Sequence, residues 1–267
     1  MEYFYHVVIT SYFFRKIYFL ALILSIGSVA GCSAIKAPVP KDPDALADYK
    51  ATNDPYEPLN RKTFNLTMKF DKYALKPMAK AYRWAVPHVV RNSLGNMITT
   101  MYEPSVFFND VAAGKPRRAG DIFARWCINL TIGLGGLIDV AKMLGFRHHA
   151  NDAGLTLANW GIPSGPYLFL PMGPSSFRDG AGYAIDQAFS PWNYVPRGYG
   201  LISFNWAYNS FAMIHGRSEH LGEIDALEQD ALDPYATIRS AYQQQRKAQA
   251  AAIRNDHRAT VPAWYHH

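Results

Sequence analysis

Two cysteines, nine histidines and a scatter of acids are the residues of this 267-residue chain that could do covalent or metal chemistry. Cys32 stands where a thiol has a particular use. It closes Val29-Ala30-Gly31-Cys32, behind Arg15-Lys16 and the apolar run Ile17 to Ser28. A basic n-region, an apolar h-region of about 7 to 15 residues and small residues at the cut make an export signal. A cysteine at the first position after the cut makes it a lipobox: the thiol takes a diacylglyceryl group and the freed amine a further acyl chain. Cys32 is therefore the predicted lipidation site, and residues 1–31 are the lipoprotein signal peptide. The aromatic stretch before Arg15 is long for an n-region, and a start codon further downstream would give the same mature chain. Acyl chains at about 0.8 kcal/mol per buried CH₂ hold a protein to a membrane stably once two or more are present.

The other candidate chemistries lack their second half. With Cys32 acylated, Cys127 has no partner for an intrachain disulfide. Its neighbours on a helix, Phe123, Trp126 and Leu130, predict a small buried core residue rather than a nucleophile, which would need a base beside it. His215 and His220 are five apart and His148-His149 are adjacent, so neither pair shares a helix face, and His266 and His267 end the chain; no metal site is expected. Gly161-Ile162-Pro163-Ser164-Gly165 misses the spacing of a hydrolase elbow and has proline in the turn. Gly133-Leu134-Gly135-Gly136 lacks the lysine and hydroxyl residue of a phosphate loop, so its glycines serve tight turning or close packing. No enzyme activity is predicted and no cofactor beyond the lipid on Cys32.

The elements that must position these residues are short and helical. The chain is 49% hydrophobic, 14% aromatic and only 18% charged, against about 25% charged in ordinary soluble domains. Its net charge of +6 falls by one when the signal segment is removed. No Lys/Arg-rich tract accompanies this balance, which excludes nucleic acid and favours anionic lipid head groups as partners. Residues 32–52, with Pro38, Pro40 and Pro43, predict a flexible tether carrying the lipidated cysteine. A helical domain is expected over 53–247 and a polar tail over 248–267. Leu59, Phe64, Met68 and Leu75 recur at helical spacing until Lys76-Pro77 restarts the chain; Pro87 opens the next segment, and Glu103 to Ala113 ends at Gly114. Ala119 to Ile132 is the clearest helix, with Ile122, Phe123, Trp126 and Leu130 on one face. Asp139 is the expected N-cap of Val140 to Leu144. Ala153 to Phe177 carries no charge and too many prolines for continuous helix, so irregular or extended backbone is expected there. The helix Tyr235 to Ile253 is polar and expected to face solvent. Three charge-free runs, Trp126 to Ile138, Ala153 to Phe177 and Leu201 to Ile214, are either plain core or surface that dips into one leaflet. The first falls short of the ~20 apolar residues that span a bilayer.

Several long motifs occur together and in one order: Asn53-Asp54-Pro55-Tyr56-Glu57-Pro58-Leu59-Asn60-Arg61, Phe64-Asn65, Glu103-Pro104, Gly133-Leu134-Gly135-Gly136-Leu137-Ile138-Asp139-Val140-Ala141, Gly165-Pro166-Tyr167 through Leu170-Pro171, Gly173-Pro174-Ser175-Ser176, Arg178-Asp179 and Asp233-Pro234-Tyr235. In these the chain resembles the MlaA (VacJ) family of outer-membrane lipoproteins, over roughly Asn53 to Arg246; Asn255 to His267 matches nothing in it. Ser33, where some bacterial lipoproteins carry Asp, likewise resembles the form exported to the outer membrane. The resemblance implies a mainly α fold: a compact, ring-like assembly of short helices broken by Pro and Gly, set in the inner leaflet and enclosing an amphipathic central channel. It implies phospholipids as ligands, a trimeric outer-membrane porin and a soluble periplasmic lipid carrier as partners, and no covalent chemistry. Lipids that stray into the outer leaflet would pass through the channel to the carrier for return to the inner membrane, keeping the outer membrane asymmetric.

On this reading Leu134, Gly135, Gly136 and Leu137 are a channel-side or wedge element. Phe64 and Asn65 resemble a family element near the channel, and the Asn65 amide either satisfies a buried backbone group or lines the lipid path. Two other functions compete: a structural lipoprotein that braces a porin or the envelope without moving lipid, and a lipid hydrolase, which would need the activated nucleophile that the residues do not supply.

Overall fold

The computed structural model describes residues 36–188 and 199–256, with side chains from residue 207 onward in the second block. Cys32 and its signal segment, the start of the tether, His266 and His267 lie outside the described residues. The fold is mainly α. The first helix among the described residues, α1 (Pro43–Thr52), falls within the stretch expected to be a flexible tether. Local signals form it. The Asp42 carboxylate accepts from the Ala45 amide at 2.9 Å, Pro43 opens the first turn, and Asp44 and Lys50 match the helix dipole at either end. It buries no residue, which is why hydrophobic periodicity could not announce it.

Helix α2 (Glu57–Phe70) runs through a π-helical turn, Asp71–Leu75, into α3 (Lys76–Ala85). The sequence predicts a break at Pro77, and none occurs. The wider turn lets the Lys76 amide reach the Asp71 carbonyl and absorbs the donor that proline lacks. Pro104 also fails to end a helix: α4 (His88–Ala112) passes through it for 25 residues. Ala113 and Gly114, the latter at φ +69°, fold the chain back so that α5 (Pro116–Thr131) packs along α4.

A glycine-rich turn leads to α6 (Val140–Met143), which Asp139 caps as expected by accepting from the Lys142 amide. The charge-free stretch after it begins as helix, α7 (Ala153–Asn159), because Asp152 caps the Leu155 amide; only beyond Trp160 does it become extended. There β1 (Tyr167–Leu170) and β2 (Gly173–Ser176) form an antiparallel hairpin with Tyr167 opposite Ser176. Helix α8 (Phe177–Ala188) lies against α7 at backbone contact: a Cβ on Gly182 would fall 2.2 Å from the Gly154 nitrogen. The chain closes with α9 (Tyr199–Glu219), α10 (Leu221–Asp230) and α11 (Pro234–Arg254).

Helix α11 corrects the expected solvent-facing end and polar tail. Ala250 and Ile253 are buried with Ala113, Leu155 and Ala158, so the folded body extends past residue 247. At its other end Tyr235 joins Phe64, Tyr167 and Phe169 in an aromatic cluster. Phe64 meets Phe169 and Tyr235 edge-on, with ring centroids 5.3 and 5.6 Å apart, the geometry that aligns ring edges with ring faces.

Candidate functional site

Helix α5 buries its polar residues. Arg118, Ala119, Ile122, Arg125 and Asn129 face inward, while Phe123 and Leu130 lie about half exposed, at 48% and 47%. Cys127, expected in the core with them, is only half-buried. The expected apolar face is split: Ile122 is fully buried, whereas Phe123, Trp126 and Leu130 lie outward, because Arg118, Arg125 and Asn129 share the inner face with Ile122 and Ala119.

Those pairs join α4 to α5 and to the segment 139–151. Arg125 donates to the fully buried Glu103, to the Phe146 carbonyl at 2.8 Å and to Asp139 at 2.7 Å. Asn129 donates to Asp139 at 3.1 Å and accepts from the Ala141 amide at 2.9 Å. Burial pushes the Asp139 carboxyl upward, but the bonds from Arg125, Asn129 and the Lys142 amide outweigh it and hold the group below the ordinary carboxylate range. A second knot surrounds buried Asp110, which Arg118, His149 and Asn151 all approach. Elsewhere Arg217 clasps Asp71 and Asp225, and Arg246 clasps Asp152 and Asp179.

Large apolar side chains are displayed instead. Trp84, Tyr73, Val89, Phe108, Ile132, Leu134, Met143 and Trp160 are exposed, Trp84 at 89%. Single exposed apolar residues are ordinary on soluble proteins; it is their coincidence with buried ionic networks that is informative. Of the run Leu201 to Ile214, Met213 is exposed and Phe211 half-buried, whereas its first six side chains lie outside those described.

Between α4 and α5 this apolar face folds into a pocket of about 470 Å³, lined by Met101, Pro104, Phe107, Phe123, Trp126 and Leu130 among others. Thr100 and Glu103 also line it, and each holds a buried side-chain oxygen, Oγ1 and Oε2, without a partner among the described residues. The turn after α5 closes one side. Gly135 lines the pocket, and Gly136 packs so closely on Thr100 that a Cβ would lie 2.7 Å away. Leu134, Gly135 and Gly136 all have positive φ, at 54°, 72° and 91°. Leu134 is 66% exposed and Leu137 37%, so both leucines present apolar surface at the turn.

Phe64 and Asn65 are placed differently. Phe64 belongs to the aromatic core, whereas Asn65, the next residue of the helix, is exposed, so its amide does not fill the buried packing role expected for it. What the surrounding motifs build is a clamp. Asp54 accepts from the Tyr235 hydroxyl, from Arg239 at 2.8 Å and from Asn60 at 2.8 Å. Asn60 also accepts from the Phe169 amide at 2.9 Å. Arg61 pairs with Asp233 and lies over the Tyr235 ring. Sequence reasoning marks these residues as motifs without their role. The Asp-Pro-Tyr tripeptide occurs at both Asp54 and Asp233, and this repetition at the two ends of the domain is the signal that could have found it.

No helix among the described residues is long and apolar enough to cross a membrane. A mainly helical body with ion pairs inside and large apolar side chains outside belongs to the class of proteins whose exposed apolar surface marks an interaction site. Residues 52–249 match the family described as MlaA lipoprotein, and the chain belongs to that family. It is 34% identical over 203 residues to the intermembrane phospholipid transport system lipoprotein MlaA of Escherichia coli, covering 73% of this chain and 77% of that one. The protein of the same name from Haemophilus influenzae is 31% identical, over 72% of this chain and 77% of its own. A solved structure described under the structural basis for maintenance of bacterial outer membrane lipid asymmetry superposes with a TM-score of 0.63 at 31% identity, covering 74% of this chain and 98% of that one.

Proposed function

We propose that this chain removes mislocalised phospholipids from the outer leaflet of the outer membrane and passes them to a soluble periplasmic carrier, maintaining the asymmetry of the membrane. The observation that carries this reading is the inverted polarity of α5, which buries Arg118, Arg125 and Asn129 and displays Phe123 and Leu130. Burying charge is expensive unless it is paired. A sequence that does so while exposing aromatics gains when its outer face meets acyl chains.

Acylated Cys32 tethers the body to the inner leaflet, and a trimeric porin holds it at a fixed depth. A body sunk in one leaflet blocks that leaflet's lipids sideways and admits those of the other leaflet from above, so selection is by geometry rather than by covalent chemistry. The pocket between α4 and α5 supports acyl contact through Phe107 and Trp126, while the unpartnered oxygens of Thr100 and Glu103 accept hydrogen bonds from the polar part of a passing lipid. The turn at Leu134 to Leu137 is the wedge beside this path, and the enclosed central channel is its continuation.

The test uses cells lacking the protein, complemented with wild type or with Phe123→Ser/Trp126→Ser. Outer-leaflet phosphatidylethanolamine is labelled with a membrane-impermeant amine reagent. Wild type lowers the label; the variant, at equal abundance and equal porin association, leaves it high. If loss of the protein weakens the envelope without raising the label, the chain is a structural brace and the transport reading fails.

A further inference from the structure

A second pocket, of about 480 Å³, lies among α1, the hairpin and α11 and shares no residue with the apolar one. Five cationic side chains line it, Lys50, Arg178, Arg246, Lys247 and Arg254, against the carboxylate of Asp179. Two of the five are already neutralised: Arg246 binds Asp152 and Asp179, and Arg178 binds Asp179. Arg254 donates to the Ala158 carbonyl at 3.2 Å, which leaves its charge unbalanced. Lys50 and Lys247 are exposed at the rim.

Tyr167 lines the same pocket. It is 1% exposed, and its hydroxyl has no hydrogen-bond partner among the described residues. A buried hydroxyl left unpaired is costly, and native structures retain one chiefly where something else pairs with it. Burial and the neighbouring charge of Asp54 both raise its pKa far above neutrality, so it stays a proton donor. Its ring is fixed by edge-on contacts with Tyr235 and Tyr242, at 6.2 and 5.9 Å between centroids. The hydroxyl therefore cannot easily turn to water.

A fixed donor in the wall of a pocket that carries an excess of cationic side chains makes a receptor for an oxyanion. The volume exceeds that of a single ion and leaves room for a polar substituent. We propose that this pocket binds a phosphate group, carried either by a phospholipid head or by a water-soluble phosphate ester. Phosphate suits the site better than carboxylate because it is tetrahedral: the two free oxygens of a diester, or three of a monoester, can engage the tyrosine hydroxyl and cations on different sides at once.

The experiment uses the full mature lipoprotein in maltoside micelles, titrated calorimetrically at constant ionic strength with inorganic phosphate and with glycerophosphoethanolamine. Saturable binding is expected, weakened about tenfold by Tyr167→Phe with no loss of thermal stability, since that hydroxyl has no partner to lose. Lys247→Gln weakens it and Lys247→Arg restores it. Tighter binding of the diester identifies a lipid head group as the source; equal or tighter binding of inorganic phosphate identifies a soluble ester. Absence of saturable binding, or affinity unchanged in both Tyr167→Phe and Lys247→Gln, overturns the proposal. Neither result bears on lipid passage past Phe123 and Trp126, which is read in cells by the amine label.

Discussion

Leu134→Asn separates what the glycine-rich turn does for folding from what it does at a membrane. Leu134 has φ +54° and is 66% exposed, so in water it gives little burial and holds a conformation that costs a leucine about 1 to 2 kcal/mol. Asparagine adopts that conformation more readily. In water the variant should therefore be as stable as wild type or up to about 1 kcal/mol more so. At a membrane the sign reverses. Fully burying a leucine contributes about 1.5 to 3 kcal/mol, so two-thirds of that side chain is worth about 1 to 2, and desolvating the amide brings the loss to about 2 kcal/mol. That is close to thirtyfold in partition, at about 1.4 kcal/mol per factor of ten. Both quantities are read on the non-acylated mature chain, Cys32→Ala: stability by urea denaturation, partition by co-sedimentation with phospholipid vesicles. A variant that partitions as well as wild type shows that Leu134 does not enter lipid. One that partitions poorly and is also less stable shows that the leucine serves the fold.

Gly182→Ala should destabilise by about 3 kcal/mol or more, because the added methyl meets the Gly154 backbone at 2.2 and 2.6 Å and neither helix can yield locally; Gly180→Ala, whose nearest neighbour is 3.9 Å away, should be neutral or slightly stabilising in the same denaturant titration. Arg125→Ala strips the partner from fully buried Glu103 and should lower stability by about 3 to 5 kcal/mol, whereas Arg125→Ala combined with Glu103→Gln recovers part of the loss; no recovery would mean the arginine acts through packing. Burial lowers the pKa of His215, which accepts from or donates to Tyr82 at 3.2 Å and faces Glu219 and Arg91. The unfolded chain then takes up a proton below about pH 6.5 that the folded chain refuses. Stability should fall as pH drops from 7 to 5, with a shallower slope in His215→Gln.

Element boundaries marked by side-chain chemistry were legible in the sequence: Asp139 caps α6 and Gly114 ends the α4 turn where the residues say they should. Polarity was not. The periodicity of Phe123, Trp126 and Leu130 shows that α5 has two faces, but it cannot say which is inward, and the usual assumption fails because the partners of Arg118 and Arg125 lie on other helices. The same limit hid the burial of Ile253, whose apolar partners Ala113 and Leu155 are remote in sequence. Prolines misled in the opposite sense: Pro77 and Pro104 sit within helices because a π turn and the long α4 packing absorb the missing donors. The motif residues Asp54, Asn60 and Tyr235 were visible as a set, yet only their convergence shows that they fasten the fold rather than face a ligand.

The Asp54 clamp also orders the birth of the structure. Asp54 is satisfied by Tyr235 and Arg239, 181 and 185 residues further along the chain. Until those residues exist the carboxylate can be held only by Asn60 and by water, so its burial, and with it the docking of α11 on α2, is a late step of folding. Distant closure of this kind is slow.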